Sequence, residues 1–173
     1  MVLFGAALLV GCGDSKDTSA RPADAERDVA MVERMNQPPF KPIRPQQFTP
    51  DDLERYGLAR DGCTFRPGDT ADAAPLFVAQ QDRGYLKVNG ALQPLSVKSG
   101  SAELPSGAHS TYMGLDSWIE LVAQAGDEST SADGTKGWPS RLVIHDAEQR
   151  VAFNVRGRVS CTGAKAKIES SAD

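Results

Sequence analysis

The two histidines and the serines beside them are the first residues to consider for catalysis. His109 is flanked by Ser106 and Ser110, and His145 precedes Asp146, so each histidine has a polar neighbour of the kind that nucleophilic catalysis uses. Adjacency in sequence does not supply the geometry of a catalytic pair. The chain also lacks a G-x-S-x-G elbow, a P-loop and an H-E-x-x-H motif. We therefore expect no catalytic residue and interpret both histidines as surface residues near turns.

The thiol of Cys12 ends an apolar N-terminal segment. Residues 1–11 are almost entirely apolar and too short to span a bilayer, which needs about 20 apolar residues, but they match the hydrophobic region of a secretory signal. No basic residue precedes them. The run Leu-Val-Gly-Cys12 resembles the lipobox of bacterial lipoproteins, in which the cysteine is acylated and becomes the mature N-terminus. The alternative is an unmodified thiol in an apolar helix.

The lipobox resemblance implies an address in the cell envelope. Residues 1–11 are the signal peptide, and Cys12 carries the palmitate-containing lipid that anchors the protein to a membrane. Gly13, rather than aspartate, follows the cysteine. By resemblance to sorted lipoproteins, this favours the outer membrane, with the protein facing the periplasm.

Cys63 and Cys161 are expected to form a disulfide. Once Cys12 is lipidated, they are an even pair in an oxidising compartment, where a bridge is the normal state. A zinc site is the rival interpretation, but the chain has only two histidines and no C-x-x-C pair. We expect no metal and no cofactor.

The length, net charge and composition of the chain limit the class of protein. A chain of 173 residues, less a signal and a tether, has room for one domain with a single core. Its net charge of -4 argues against a nucleic-acid-binding surface, which normally shows a basic excess. The 16 glycines and 11 prolines favour short strands joined by many turns.

Composition divides the chain into a tether and a domain. Residues 12–48 are poor in apolar residues and rich in balanced charge and proline, which is typical of a flexible tether. Within it, residues 28–35 form either a transient helix or one that docks on the domain or a partner. Order is expected to begin at Thr49 with a short helix over 50–56, capped by Thr49. The domain is expected over 49–163, and residues 164–173 form a disordered tail.

A period of two with recurring turns predicts strands across the domain. Asn89-Gly90 is a strong hairpin signal, Pro94 favours an edge position, and in the strand 117–123 the face containing Ile119 and Leu121 is the expected core face. The predicted strands cover 76–80, 85–88, 91–97, 102–104, 108–113, 117–123, 141–145, 150–155 and 158–161. About seven or eight such strands in consecutive hairpins predict a mainly β fold, a small antiparallel barrel or sandwich with a short N-terminal helix.

Two surface features leave alternatives open. Residues 126–139 are a long polar loop with one aromatic residue, and Trp138 serves either as a cover for the core or as an anchor for a partner. Arg150, Arg156 and Arg158 line one strand face, either as solvated charge or as a binding feature.

From Cys63 to Cys161 the order of features resembles the membrane-bound and periplasmic c-type lysozyme inhibitor family. The resemblance implies an eight-stranded antiparallel barrel, a disulfide near its ends, and a serine and a lysine that reach into the lysozyme cleft. Tyr112 lies two positions later than the family spacing, and Ile119-Glu120-Leu121 stand where the lysine is expected. The matching residues are Ser106-Gly107-Ala108, Tyr112, Gly114 and Trp118.

Because the lysine is missing, a relative in fold with another task is the preferred interpretation. We expect a non-enzymatic envelope lipoprotein whose β domain binds a protein or envelope component. The alternatives are a c-type lysozyme inhibitor and an enzyme of unrecognised type. The candidate binding residues are Ser106, Tyr112, Trp118 and Trp138.

Overall fold

A computed structural model describes residues 22–59, 61–70 and 72–162. The chain divides into two compact units, Met1–Pro39 and Phe40–Asp173. The predicted signal peptide, the lipid site at Cys12 and the tail at 164–173 lie outside the described residues.

The described part of the first unit is a helix, α1, over Pro22–Asn36. It extends the two turns expected over 28–35 by about two more, because alanine, glutamate, arginine and methionine all have high helix propensity. Val29, Met31, Val32 and Met35 on this helix are all more than half exposed. None of the helices described is long and apolar enough to cross a bilayer.

The second unit is a closed antiparallel β-barrel, as the hairpin pattern predicts. Eight strands form the ring in the order β4-β3-β2-β10-β9-β7-β6-β5, and β5 pairs with β4 to close it. The short β1 joins β4 from outside the ring, and β8 joins β9. The strands are β1 Pro45–Gln46, β2 Gly62–Pro67, β3 Phe77–Ala79, β4 Arg83–Val88, β5 Ala91–Val97, β6 Thr111–Met113, β7 Ser117–Ala123, β8 Ser129–Thr130, β9 Lys136–Asp146 and β10 Val151–Thr162.

Local sequence explains several of these elements. Asn89 and Gly90 both have positive φ, at 51° and 77°, as the tight turn between β4 and β5 requires. Pro94 lies in the part of β5 that pairs with β4 alone, since only Ser96 and Val97 pair with β6. Its missing N–H is therefore tolerated.

Large side chains fill the interior of the barrel. Ile119 and Leu121 face inward as expected, although Ala123 at the end of β7 is exposed. Cys63 and Cys161 are direct cross-strand partners on β2 and β10, and their Sγ atoms lie at bonding distance, so the expected bridge is present. The largest buried side chains of this core are Tyr112, Phe65, Phe77, Leu86, Ile119, Leu142 and Ile144.

A second, smaller cluster lies outside the barrel wall, beneath helix α2 (Pro50–Arg55). The helix starts with a capping box, in which the Thr49 hydroxyl accepts a hydrogen bond from the Asp52 N–H and the Asp52 carboxylate accepts one from the Thr49 N–H. Phe48 is only 1% exposed in this cluster, and Ile43 donates a backbone hydrogen bond to Ala152. Packing against the barrel thus begins before the expected boundary at Thr49.

Three predicted elements differ in the structure. The expected loop over 126–139 contains β8 and the start of β9, which form a small hairpin despite their polar sequence. Residues 102–104 are not a strand, because Glu103 forms only an isolated bridge with His109. The two strands expected near the end are one, β10, because its pairing with β9 is continuous from Phe153 to Cys161. Gly157 fits within this strand because it has no side chain to clash with the Arg66 carbonyl and the Phe65 ring.

Candidate functional site

The four residues singled out for binding do not form one site. Ser106 and Trp138 lie at the barrel end that also carries the disulfide, whereas Trp118 lies near the opposite end, on the outer surface. Tyr112 lies inside the barrel and is completely buried. A single binding surface must therefore include exposed residues other than these four.

Tyr112 is a structural residue rather than a surface contact. Its hydroxyl donates a hydrogen bond to the Gln80 carbonyl at 2.7 Å and accepts one from the His109 N–H at 2.8 Å. Its ring packs edge-on against Phe77, with centroids 5.5 Å apart. Burial raises the pKa of the phenol to about 12. The side chain thus connects β6 to the turn between β3 and β4 and to the residues just before β6.

Ser106 has an unusual backbone conformation. It lies in a single 3₁₀ turn over Pro105–Gly107 with a φ of 74°, in the left-handed region that non-glycine residues rarely adopt. Its hydroxyl oxygen is buried and has no hydrogen-bond partner among the described residues. The hydroxyl is therefore directed away from the surface on which a partner would land.

In the described part of the chain, neither histidine forms a hydrogen bond with the serine or aspartate beside it in the sequence. The His109 Nδ1 lies 3.2 Å from the hydroxyl of Ser101, and not from either flanking serine that the sequence suggested. The only ion pairs are between arginine or lysine and carboxylates, so neither imidazole is held by an acidic side chain there. Nor do three or more His, Cys, Asp or Glu side chains converge as a metal site among those residues.

Trp138 covers the core, one of the two roles left open by the sequence. It is the cross-strand partner of the buried Val159, so both side chains are on the inner face of the sheet. The indole is partly buried and packs against the main core. Its outer edge lines a cavity of about 450 Å³ together with Pro105 and Lys136.

Trp118 forms a flat aromatic platform on the outside of the barrel. Its cross-strand partner on β9 is His145, and the two rings stack with centroids 3.8 Å apart and planes 3° apart. The Lys98 ammonium lies 4.9 Å from the indole centroid, within range of a cation–π interaction. The platform is therefore rigid and carries positive charge on one side.

Four exposed apolar side chains lie around this platform, at the barrel end where β6 turns into β7 and β9 into β10. Leu115 in the β6–β7 turn is 102% exposed, Val151 51%, Phe40 50% and Met113 41%. Met113 is the direct neighbour of Trp118 on β6, and Val151 is the direct neighbour of His145 on β10. We call the set Phe40, Met113, Leu115, Trp118 and Val151 the hairpin-end surface.

The turn carrying Leu115 separates two surface cavities. One, of about 340 Å³, is lined by Trp118, Met113 and Lys98. The other, of about 620 Å³, lies between the turn and the unpaired edge of β5, and Leu92 and Leu95 line it. Both cavities include Leu115 in their walls. Two concave surfaces thus flank the exposed Leu115 side chain.

The rim of the hairpin-end surface is charged and well ordered. The Arg150 Nε lies 2.7 Å from the Asp146 carboxylate, and its guanidinium lies 5.4 Å from the centroid of Phe40. Burial raises the pKa of Asp146, but hydrogen bonds from the Arg150 N–H and side chain outweigh it and hold this pKa below its ordinary value. An apolar centre with a charged rim is the usual anatomy of a protein-binding surface.

Sequence reasoning missed most of this surface. Met113, Leu115, Val151 and Phe40 have ordinary neighbours in sequence, and only their placement around Trp118 makes them a patch. One signal was present: Leu115 stands between Gly114 and Asp116 in a turn, where a large apolar residue gains no burial.

Comparison with protein-family models, with curated proteins and with solved structures finds no match to this chain.

Proposed function

We propose that this protein is a non-enzymatic lipoprotein of the bacterial envelope, whose barrel binds another protein through the hairpin-end surface. The lipid anchor at Cys12 holds it to the outer membrane, facing the periplasm, and the segment before Phe40 is its tether. The anchor is supported by the lipobox sequence, and the binding role by the geometry of the barrel.

The observation that carries the binding role is the full exposure of Leu115 beside the stacked Trp118. Monomeric proteins rarely expose large contiguous apolar patches, and such patches mark interaction sites. Apart from Tyr56, the exposed large apolar side chains described in the barrel unit all belong to this one surface. Their concentration at one end distinguishes the patch from scattered surface hydrophobicity.

The packed interior supports a binding site on the outer surface. Tyr112, Phe65 and Phe77 are fully buried in the centre of the barrel. An eight-stranded barrel is just wide enough for its own side chains when these are large. A ligand carried inside the barrel therefore does not fit this core.

The chemistry of the surface indicates a protein partner with an apolar anchor and acidic flanks. A leucine- or phenylalanine-sized side chain fits the cavity between Leu115 and Trp118. Lys98 and Arg150 at the rim then face the flanking residues of the partner. Aromatic and arginine residues are the types that contribute most to binding at such interfaces.

Site-specific photo-crosslinking in the native host tests this proposal. A photo-reactive amino acid in place of Met113 is expected to yield a discrete crosslinked product with another envelope protein. The matched control is the same amino acid in place of Tyr56, which is similarly exposed, at 43% against 41%, but lies after helix α2. The Met113 product should disappear when Leu115→Asp is added.

Two outcomes would contradict the proposal. A product of twice the mass of this chain would assign the surface to self-association. Equal crosslinking from the Tyr56 and Met113 positions would show that the patch has no specific partner.

A further inference from the structure

Four arginines form a second surface, on the outer face of three neighbouring strands. Arg158 on β10 is the direct cross-strand partner of Arg66 on β2, and Arg156 on β10 is the direct partner of Arg141 on β9. Side chains alternate along each strand, and Phe65, Leu142 and Val159 face inward. All four side chains therefore leave the sheet on its outer face, and we call them the arginine face.

The arginine face has no acidic partner in the described part of the chain. The ion pairs found there use Arg27, Arg83, Lys87 and Arg150, and none of these four. The polar contacts of its side chains are all neutral: Arg66 with Thr64, Arg158 with Ser129 and the Asp127 carbonyl, and Arg141 with Gln124. The Arg141 Nε is buried without a partner. No ion pair within 4 Å therefore neutralises these four charges among the described residues.

This arrangement is unfavourable for the isolated protein. Like charges directly opposite each other on antiparallel strands repel, and here two such pairs are adjacent. The chain as a whole is acidic, with a net charge of -4, so the face is not part of a general basic excess. A bound polyanion would relieve the repulsion.

We infer that the arginine face docks on the phosphate headgroups of an anionic phospholipid surface. Neighbouring strands are about 4.8 Å apart and alternate residues along a strand about 6.8 Å, so the four side chains leave the outer wall of the barrel over about 10 Å by 7 Å. Such a spread suits a field of many phosphates better than a single phosphate group. Guanidinium groups bind phosphate through paired hydrogen bonds. The inference is independent of the partner proposed for the hairpin-end surface.

Vesicle binding by the full chain tests the inference. Phosphatidylcholine vesicles with and without phosphatidylglycerol are compared, and the neutral vesicles measure any contribution of the apolar N-terminus. The double variant Arg156→Gln/Arg158→Gln is expected to bind the anionic vesicles roughly 20-fold more weakly, since each arginine near an anionic surface contributes about fivefold. Binding of the unaltered chain should weaken as ionic strength rises.

A matched control removes the same charge elsewhere. Arg55→Gln/Arg83→Gln also deletes two positive charges, at exposed positions on α2 and β4, and is expected to bind nearly as well as the unaltered chain. Arg156→Lys/Arg158→Lys should retain most of the binding because the charge remains. Thermal unfolding is expected to show that the glutamine variants are folded.

The inference would be overturned if both glutamine variants lost binding equally, since net charge alone would then account for it. Binding unchanged in the arginine-face variant would also overturn it. So would binding of soluble polyphosphate with no preference for anionic over neutral vesicles. No partner protein enters this experiment, so its failure is distinct from failure of the proposed function.

Discussion

The indole of Trp118 lies flat against the imidazole of His145, with ring centroids 3.8 Å apart and planes 3° apart. The two residues are direct cross-strand partners on β7 and β9, so the sheet itself fixes their orientation. Stacked rings in this geometry hold each other in one rotamer and leave little side-chain entropy to lose on binding. The exposed Met113 and Val151 extend the same row of residues on either side. The hairpin-end surface is thus preorganised at its centre.

Tyr112→Phe is expected to destabilise the barrel. The substitution removes only the hydroxyl, but it deletes the hydrogen bonds to the partly buried Gln80 carbonyl and from the partly buried His109 N–H. Leaving such groups unpaired costs about 1–3 kcal/mol. Urea unfolding measures the loss, with Tyr85→Phe as the control because Tyr85 is only partly buried and packs in the outer cluster. Equal stability of the two variants would contradict the role given to the Tyr112 hydroxyl.

The ion pair between Asp52 and Lys87 predicts a pH-dependent contribution to stability. The hydrogen bond from the Lys87 ammonium, at 2.7 Å, and that from the Thr49 N–H lower the pKa of Asp52 from 3.8 to about 2. Because the pKa is lowered in the folded state, the contribution is complete above the unfolded value of 3.8 and is lost as the pH falls through about 2.

Asp52→Asn should therefore be less stable than the unaltered chain at neutral pH, and the difference should disappear near pH 2. Thermal unfolding of both proteins between neutral pH and pH 2 measures this difference in stability. Asp51→Asn, one residue earlier and without an ion pair to a described residue, should have a smaller effect at neutral pH. A difference for Asp52→Asn that stays constant down to pH 2 would exclude the ion pair as its source.

Cys12 is predicted to be the site of lipid attachment. Cys12→Ser should abolish labelling by a palmitate analogue in a native host, since the serine hydroxyl does not form the thioether. Cys63→Ser is the matched control, because that thiol belongs to the disulfide and its loss should leave labelling intact. Persistent labelling of Cys12→Ser would disprove the assignment.

The protein is predicted not to inhibit c-type lysozyme at stoichiometric concentration. An inhibitor of that enzyme gains from placing a cation and a hydroxyl against the carboxylate pair in the cleft. Here the Ser106 hydroxyl is buried, and Ile119-Glu120-Leu121 follow Trp118 where a lysine is expected. Clearing of a cell-wall suspension is the assay. Inhibition that is lost in Ser106→Ala would show that the family function is retained.

The barrel could be predicted because its signals are local. Alternation over 117–123 and the Asn89-Gly90 turn need no knowledge of distant residues, and both are confirmed. The pair Cys63 and Cys161 was predicted from the two thiols left if Cys12 is lipidated in an exported protein, and the structure places them side by side. The errors came where tertiary contacts decide the outcome. Separate strands were expected over 150–155 and 158–161, whereas one strand runs through both, and Gly157 within it leaves room for the Phe65 ring.

Neither surface could be predicted in full, because each combines residues from separate strands. Arg156 and Arg158 were recognised together by their spacing of two, but Arg66 and Arg141 join them only through the register of β2 and β9 with β10. Arg150, grouped with them in the sequence, instead pairs with Asp146 at the hairpin end. Pairing register is a property of the folded sheet.

Maleimide labelling of Leu115→Cys is the most direct test of the proposed binding surface. The bridged Cys63–Cys161 pair does not react, so the introduced thiol is the reactive one in the barrel unit. The account predicts rapid labelling in the purified protein and strong protection in intact envelopes. Tyr56→Cys, away from the surface, should label equally in both. Equal labelling of Leu115→Cys in purified protein and in envelopes would show that this surface is unoccupied in the cell and would contradict the account.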